Sequence, residues 1–204
     1  MPKQKLIITI SGTPGSGKST IAKILGQKLS AKGGSASGGK ARRIYVGAIR
    51  RALAKSKGMT LAELNQYALT HPETDVDIDK QVAAQARQMA KKKIVIVEGR
   101  TQFYFLPESF KIFINVNVNE GAKRIWREIQ NQNDLKKRNE AAIKSLAGLK
   151  KSILARMAID KKRYKKYYHL DFTQKANYNL IIDTTKITAS QAATRILSAL
   201  KKAQ

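Results

Sequence analysis

The apolar positions alternate between short continuous runs and longer stretches with helical spacing. Residues 6–10 are a short β-rich apolar run, and residues 94–97 a continuous one. The second suits a strand buried on both faces of a parallel sheet. A weaker strand over 43–46 and further strands over 112–116 and 180–182 complete a set of five. Between them, Ile21, Ala22, Leu25 and Leu29 recur with helical period. Residues 47–57 read as a short helix ended by Gly58. Thr60 and Glu63 form a capping-box pattern that opens a helix carrying Leu61, Leu64 and Ala68. Residues 75–92 make a third helical stretch with Val82, Ala86 and Met89 on one side. Asn119 is placed to cap a long basic helical region reaching Tyr168. A second capping box, Thr188 with Gln191, opens a C-terminal helix with Ile196, Leu197 and Leu200 inward. Residues 33–39, rich in glycine and serine, read as a flexible connection. No internal repeat is visible. Strands alternating with helices predict an α/β fold, with a five-stranded parallel sheet flanked by helices and right-handed crossovers.

Between the first strand and the first helix stands Gly12-Thr13-Pro14-Gly15-Ser16-Gly17-Lys18-Ser19-Thr20, the spacing G-x-x-x-x-G-K-[ST] of a phosphate-binding loop. The glycines let the backbone curl without Cβ clashes. The N–H groups then face a polyphosphate, with the positive helix end behind them. Lys18 can reach the β- and γ-phosphates, and the Ser19 hydroxyl can ligate Mg²⁺. The expected architecture is therefore a P-loop NTPase, with ligands gathered at the carboxyl ends of the strands.

Composition narrows the classes. At 204 residues with 42% hydrophobic content, a single domain over 1–204 with a real core is expected. The absence of cysteine removes disulfides, thiolate catalysis and Cys-type zinc sites, and suits a reducing cytoplasm. Two histidines, His71 and His169, are too few for a His-based metal site and are expected on loops or the surface. No signal peptide and no run long enough to span a membrane is visible. The 40 Lys and Arg against 14 Asp and Glu give a net charge of +26. Such a surface attracts nucleotides, RNA and anionic lipid. The lysines are scattered, and each cluster reads as a solvated helix face.

The arginines narrow the reaction. Arg50 and Arg51 follow the second strand, Arg100 the third, and Arg156 and Arg163 lie in the long basic region. Transfer between two phosphorylated partners needs cations that hold the acceptor in line, and the arginine fork grips phosphate oxygens. Arg156, Asp160 and Arg163, at i, i+4 and i+7, share one helix face. That spacing equally describes a solvated ion pair.

Taken together these segments resemble a family. Ile8-Thr9-Ile10-Ser11-Gly12, Gly47-Ala48-Ile49-Arg50-Arg51 (similar to the family's G-A-I-Y-R), Glu98-Gly99-Arg100, Arg156-x-x-x-Asp160-x-x-Arg163-Tyr164, residues 167–171 and residues 178–184 are similar to cytidylate kinases. The likeness is to the compact archaeal and bacterial form of this nucleoside monophosphate kinase group. The resemblance implies ATP and Mg²⁺ as cofactors and CMP or dCMP as acceptor. It implies that Arg51, Gly99, Arg100 and Arg163 hold the acceptor phosphate and that Arg156 sits near the transferring phosphate. Asp160 would contact the acceptor nucleoside, and Arg124 and Arg127 would cover ATP. It further implies a helical acceptor-binding region over about 47–92, a basic lid over about 128–153, and a cytoplasmic monomer. The sequence departs from the pattern at Val46, where the family carries a small hydroxyl residue, and at Thr101, where bacterial members often carry aspartate. The alternatives are a kinase of AMP, UMP or a non-nucleotide acceptor such as shikimate or dephospho-CoA, or a basic RNA-associated P-loop protein. For the kinase, nucleic-acid contact would be non-specific.

Overall fold

The structure, a computed structural model, describes residues 6–31, 41–130, 143 and 145–203. The expected glycine-rich connection at 33–39 lies outside the described residues. Strands β1 (Ile7–Gly12), β2 (Arg42–Tyr45), β3 (Val95–Glu98), β4 (Phe110–Asn115) and β5 (Leu180–Asp183) form one sheet. Its order is β2-β3-β1-β4-β5, and every pairing is parallel. The helices are α1 (Lys18–Ala31), α2 (Val46–Ser56), α3 (Leu61–Tyr67), α4 (Glu73–Ala90), α5 (Gln102–Phe105), α6 (Val118–Ile129), α7 (Leu146–Tyr168) and α8 (Ala189–Lys202). The chain turns left and right of β1, so the carboxyl end of β1 is a topological switch point.

Every residue of β1 is buried, and its side chains alternate between two cores. Ile8 and Ile10 join Ile21, Leu25, Ile196 and Leu200 under α1 and α8. Ile7 joins Ile44, Val82, Ala86, Val95 and Val97 on the face covered by α2 and α4. The polar positions of that second face are paired. The Thr9 hydroxyl lies 2.9 Å from that of Ser109, and Ser11 donates to the Arg100 carbonyl. Both capping boxes form, at Thr60 with Glu63 and at Thr188 with Gln191.

The long basic helical region is two helices, and Asn119 is not its cap. Asn117 is the last extended residue, and its side chain accepts from the Asn119 N–H. A separate cap, Ser145, accepts from the Gly148 N–H and starts α7. The two helices fold back so that Ala122, Ile125 and Ile129 meet Leu149 and Ile153. One continuous helix could not bring these positions together. The ends of the expected lid, 128–129 and 146–153, thus belong to α6 and α7, and 131–142 and 144 lie outside the described residues. Helix α5 had no signal in the periodicity, and β4 starts two residues earlier than its apolar run. A third stretch differs only in bounds, since α4 spans Glu73–Ala90 rather than 75–92. His71 stacks on Tyr67 at 3.5 Å in the turn after α3, and His169 ends α7 at φ +52°, exposed.

Helix α6 approaches the glycine loop more closely than any side chain would allow. A Cβ on Gly121 would stand 2.7 Å from the Pro14 carbonyl oxygen, and one on Gly15 would stand 2.3 Å from Gly121. In a free helix Gly121→Ala would gain about 1 kcal/mol. Here we expect no gain in thermal midpoint and a raised KM for the phosphate donor, measured by calorimetry and steady-state kinetics. A more stable variant with an unchanged KM would show that the close approach does not matter.

Candidate active site

Three of the loop glycines take backbone conformations closed to other residues: Gly12 at φ +147°, Gly15 at +73° and Gly17 at +79°. The loop is fastened from outside. The Thr13 N–H donates to the Ile114 carbonyl, and the Thr13 hydroxyl accepts from Val116 N–H. The Thr184 hydroxyl, from the turn after β5, lies 3.0 Å from the carbonyls of Ser16 and Asn115. Lys18 curls back so that its Nζ donates to the Gly12 and Thr13 carbonyls at 3.0 and 2.8 Å. Burial, with the positive charges of Arg100 and Arg156, lowers its ammonium to about 7.

Glu98, the last residue of β3, is 2% exposed and stands beside this loop. Its Oε1 accepts from Arg43 Nε at 3.0 Å, and Arg43 also donates to the Ser19 carbonyl. Its Oε2 has no hydrogen-bond partner among the described residues. Burial raises its carboxyl, while Arg43, the Ser19 hydroxyl and Lys18 pull it back down. A hydroxyl and one carboxylate suit Mg²⁺, which keeps several waters and takes its other ligands from substrate phosphates. The Ser19–Glu98 pair therefore fits that ion. No cluster of three acidic or histidine side chains able to hold a metal exists among the described residues.

A cavity of about 980 Å³ runs from the loop across the carboxyl edge of the sheet. Pro14, Gly15, Gly17, Lys18, Ser19 and Thr20 line one end. Gly12, Thr13 and Ser16 shape the loop from beneath without lining it. Arg51, Gly99, Arg100, Arg156, Asp160 and Arg163 line the rest, with Arg124 and Arg127 along the α6 side. The shared face expected of Arg156, Asp160 and Arg163 is thus a cavity wall and not a solvated stripe.

The arginines are held by carboxylates. Arg163 is fully buried, and pairs with Asp160 and, at 3.2 Å, with Asp75. Arg100 pairs with the other oxygen of Asp160. Arg50 pairs with Asp75 and donates to Asn65, which also accepts from Arg163. Three guanidiniums thus share two carboxylates, and Arg51 and Arg156 border the same space. Burial and the charges of Arg156, Arg163 and Arg50 push Arg100 down to about 9. Among the described residues the wall has more guanidiniums than carboxylates, which is the field a phosphate would relieve.

Some residues are more constrained than the sequence suggested. Asp160 is committed to Arg100 and Arg163. Arg124 donates to Glu120 and to the Thr184 carbonyl, so it braces the β5 turn, while Arg127 is exposed at the rim. Arg51 stands over the Tyr45 ring, 5.1 Å from its centroid, and Val46 is buried in the α2–α4 core. Glu98, Arg50, Asn65, Asp75 and Asp79 also line the cavity and were not among the expected site residues. Arg50 and Glu98 had a signal, since they sit at strand ends beside expected residues. Asn65, Asp75 and Asp79 had none, because polar residues on helices α3 and α4 look like solvent-facing positions until the fold buries them.

Lys18 gives a pH-dependent expectation. Because its folded pKa is depressed, the unfolded chain holds the extra proton between about 7 and 10.5. In that window this group makes stability rise with pH. A bound polyphosphate would restore the ammonium. Calorimetry at pH 8 in buffers of different ionisation enthalpy should register net proton uptake on nucleotide binding. Lys18→Met should abolish it, and wild-type protein with no uptake would contradict the geometry.

The chain resembles known proteins in both sequence and shape. A family model described as an AAA domain matches residues 8–145. Cytidylate kinase from Archaeoglobus fulgidus is 34% identical over 195 residues, covering 95% of this chain and 94% of that protein. Cytidylate kinase from Pyrococcus horikoshii is 32% identical over 187 residues, covering 91% and 83%. Among solved structures, shikimate kinase from Acinetobacter baumannii in complex with shikimate aligns with a TM-score of 0.57 at 14% identity, covering 98% of this chain and 95% of that one. Thymidylate kinase from Candida albicans aligns at 0.55 and 15%, covering 98% and 92%. These structures share the fold alone, whereas the sequence relatives extend over nearly the whole length, and on that ground the chain belongs to the cytidylate kinase family of P-loop kinases.

Proposed function

We propose that this protein transfers the γ-phosphoryl group of ATP to CMP or dCMP, giving CDP or dCDP. The observation that carries the reading is one continuous cavity joining the phosphate-binding loop to an arginine-rich wall. Donor and acceptor phosphates would meet between Lys18 and Arg156. The loop N–H groups and Lys18 would hold the β- and γ-phosphates. Arg51, Arg100 and Arg163, with the Gly99 backbone, would hold the acceptor phosphate, and Asp160 would keep two of these arginines aligned beside the nucleoside. Arg156 would balance charge as it moves from donor to acceptor. When bound, Mg²⁺ would draw charge from the phosphate oxygens, with Ser19 and Glu98 holding it directly or through water. Positioning and electrostatics suffice, and no covalent enzyme intermediate is needed.

Arg124 and Arg127 would border ATP, with the region over about 128–153 as the lid. No helix of the described residues is long and apolar enough to cross a membrane, and we place the enzyme in the cytoplasm as a monomer. Its excess charge would give only non-specific contact with nucleic acid.

The direct test is coupled ADP release with CMP, dCMP, UMP, AMP and shikimate. CMP and dCMP should give the highest kcat/KM, and a clear preference for another acceptor would overturn the assignment. Lys18→Ala should lower turnover at least about a hundredfold, the scale of one preorganised charge contact. Arg163→Ala should mainly raise the acceptor KM and Arg156→Ala mainly lower kcat, with ATP affinity nearly unchanged in both. Wild-type constants in all three variants would remove this cavity from the reaction.

A further inference from the structure

The edge of the sheet opposite the catalytic cavity carries a feature that phosphoryl transfer does not use. Helices α1 and α8 both start at the catalytic cavity, which Lys18, Ser19, Thr188 and Ala189 line. They pack side by side and run away from it. At their far ends a second cavity of about 380 Å³ opens between them. Lys28 and Ala31 line it from α1, and Thr194, Leu197, Ser198 and Lys201 from α8. The two cavities share no lining residue among the described residues. Each helix has 14 residues, which sets the cavities about 20 Å apart. Lys28 Nζ lies 3.4 Å from the Thr194 hydroxyl, which itself donates to the Ser190 carbonyl.

Charge gathers around this second cavity. Leu29, Ile94 and Leu197 pack against one core cluster, so the three lysines at 91–93 border the same edge as Lys28 and Lys201. Arg42 opens β2 there, and its N–H donates to the Ile94 carbonyl. With Lys202 at the end of α8, the edge holds seven cations. Its acidic side chain among the described residues is Glu108, which Arg87 holds at 2.8 Å. The other carboxylates lie elsewhere: Glu98 and Asp183 end strands at the opposite edge, and Asp75, Asp79 and Asp160 line the catalytic cavity. Basic residues at a helix C-terminus answer the negative end of its dipole, about half a charge per helix. The ends of α1, α4 and α8 therefore ask for about one and a half charges, and seven stand there. Helix capping leaves most of this charge without a purpose.

We infer that this edge is a docking surface for single-stranded RNA, gripped through its phosphates. The inference goes beyond the kinase reading and does not depend on it. The cavity between α1 and α8 has room for one phosphate with its ribose, which a flexible strand can turn in and a stiff duplex cannot. The hydroxyls of Thr194 and Ser198 stand about one helical turn apart on its wall. They can hydrogen-bond a ribose 2′-OH, the group that distinguishes RNA from DNA. A membrane surface would draw on buried apolar area as well as charge. The exposed large hydrophobics among the described residues are Tyr45, Ile49, Tyr104, Leu154 and Ile181, and none stands at this edge. Bases accordingly find no exposed aromatic ring there to stack on, so the contact follows the backbone and reads no sequence. Because the catalytic cavity opens at the other edge, RNA can be held while nucleotides come and go.

The experiment is fluorescence anisotropy of a short labelled oligouridylate on the full chain, with and without ADP and CMP, over about 50 to 200 mM salt. Wild type should bind the strand with a steep salt dependence, unaltered by the nucleotides. Lys28→Gln with Lys201→Gln should weaken binding at least about tenfold near 0.1 M salt. It should also reduce the slope of log affinity against log salt by about 1.4, the loss of two phosphate contacts to a single strand. Lys91→Gln with Lys92→Gln should do the same. Lys162→Gln with Lys165→Gln removes equal charge from exposed positions on α7 and should leave binding nearly unchanged. All three pairs should keep the thermal midpoint and whatever turnover the wild type shows. Equal losses in the three pairs would mean that net charge alone attracts RNA, and would overturn the inference. Displacement of the strand by ADP and CMP would place it in the catalytic cavity and overturn it too. So would wild type that binds no RNA, equal affinity for the deoxy strand of the same length, or tighter binding to phosphatidylserine vesicles than to RNA. Should Lys28→Gln with Lys201→Gln fail to fold, the pair at 91 and 92 decides.

Discussion

A guanidinium with no exposure to water can exist only where carboxylates surround it, and Arg163 imposes that requirement on this molecule. Asp160 comes from its own helix and Asp75 from α4. Asn65 joins from α3, Arg50 from α2, and Arg100 from the end of β3. Five separate pieces of chain thus meet at one ionic cluster. Taking away one partner of such a pair costs about 3–5 kcal/mol, because it leaves a buried charge uncompensated. The cluster therefore fixes how α2, α3, α4 and α7 stand over the sheet, and with them the width and lining of the cavity.

The cluster also departs from neutrality in one direction. Among the described residues its carboxylates are fewer than its guanidiniums, Arg51 and Arg156 border it, and Lys18 at the other end of the cavity loses proton affinity through burial first and the charges of Arg100 and Arg156 second. A wall designed only for stability would balance its charges. Among the described residues this one holds more guanidiniums than carboxylates, at a wall where preorganised charge acts strongly and needs little reorganisation. On the proposed reading that excess is balanced when two phosphate groups enter together. Neighbouring carboxylates do different work: Asp160 and Asp75 hold arginines, Glu98 stands by the loop serine, and Asp79 forms no ion pair among the described residues.

The sheet was legible because four of its strands are announced by apolar runs, with β2 only weakly marked, and several connections by a cap or glycine. The loop from Gly12 to Thr20 was legible because its glycines answer a backbone need that no other residue meets. Arg51, Arg100, Arg156 and Arg163 could be found by their positions at strand ends and on one helix face. Less visible was the break between α6 and α7, since lysine-rich sequence continues through it and the cap at Ser145 stands alone. The carboxylates of α4 escaped for a different reason. Asp75 and Asp79 occupy positions that periodicity assigns to a polar face, and only the packing of α7 and α5 against them turns that face inward. Arg43 was similarly silent, because its role depends on β2 lying beside β3 in register with Glu98.

The account stands on the claim that this cavity is a positive well waiting for the acceptor's phosphate. Calorimetric titration of the free protein with CMP and with cytidine, at low and moderate salt, measures that claim without any turnover. CMP should bind at least about a hundredfold more tightly than cytidine, the scale of one or two charge-assisted contacts to buried arginine, and the gap should narrow little with salt because the well is shielded from solvent. Equal affinities, or a gap that vanishes at moderate salt, would mean that the arginine cluster holds the fold together and nothing more.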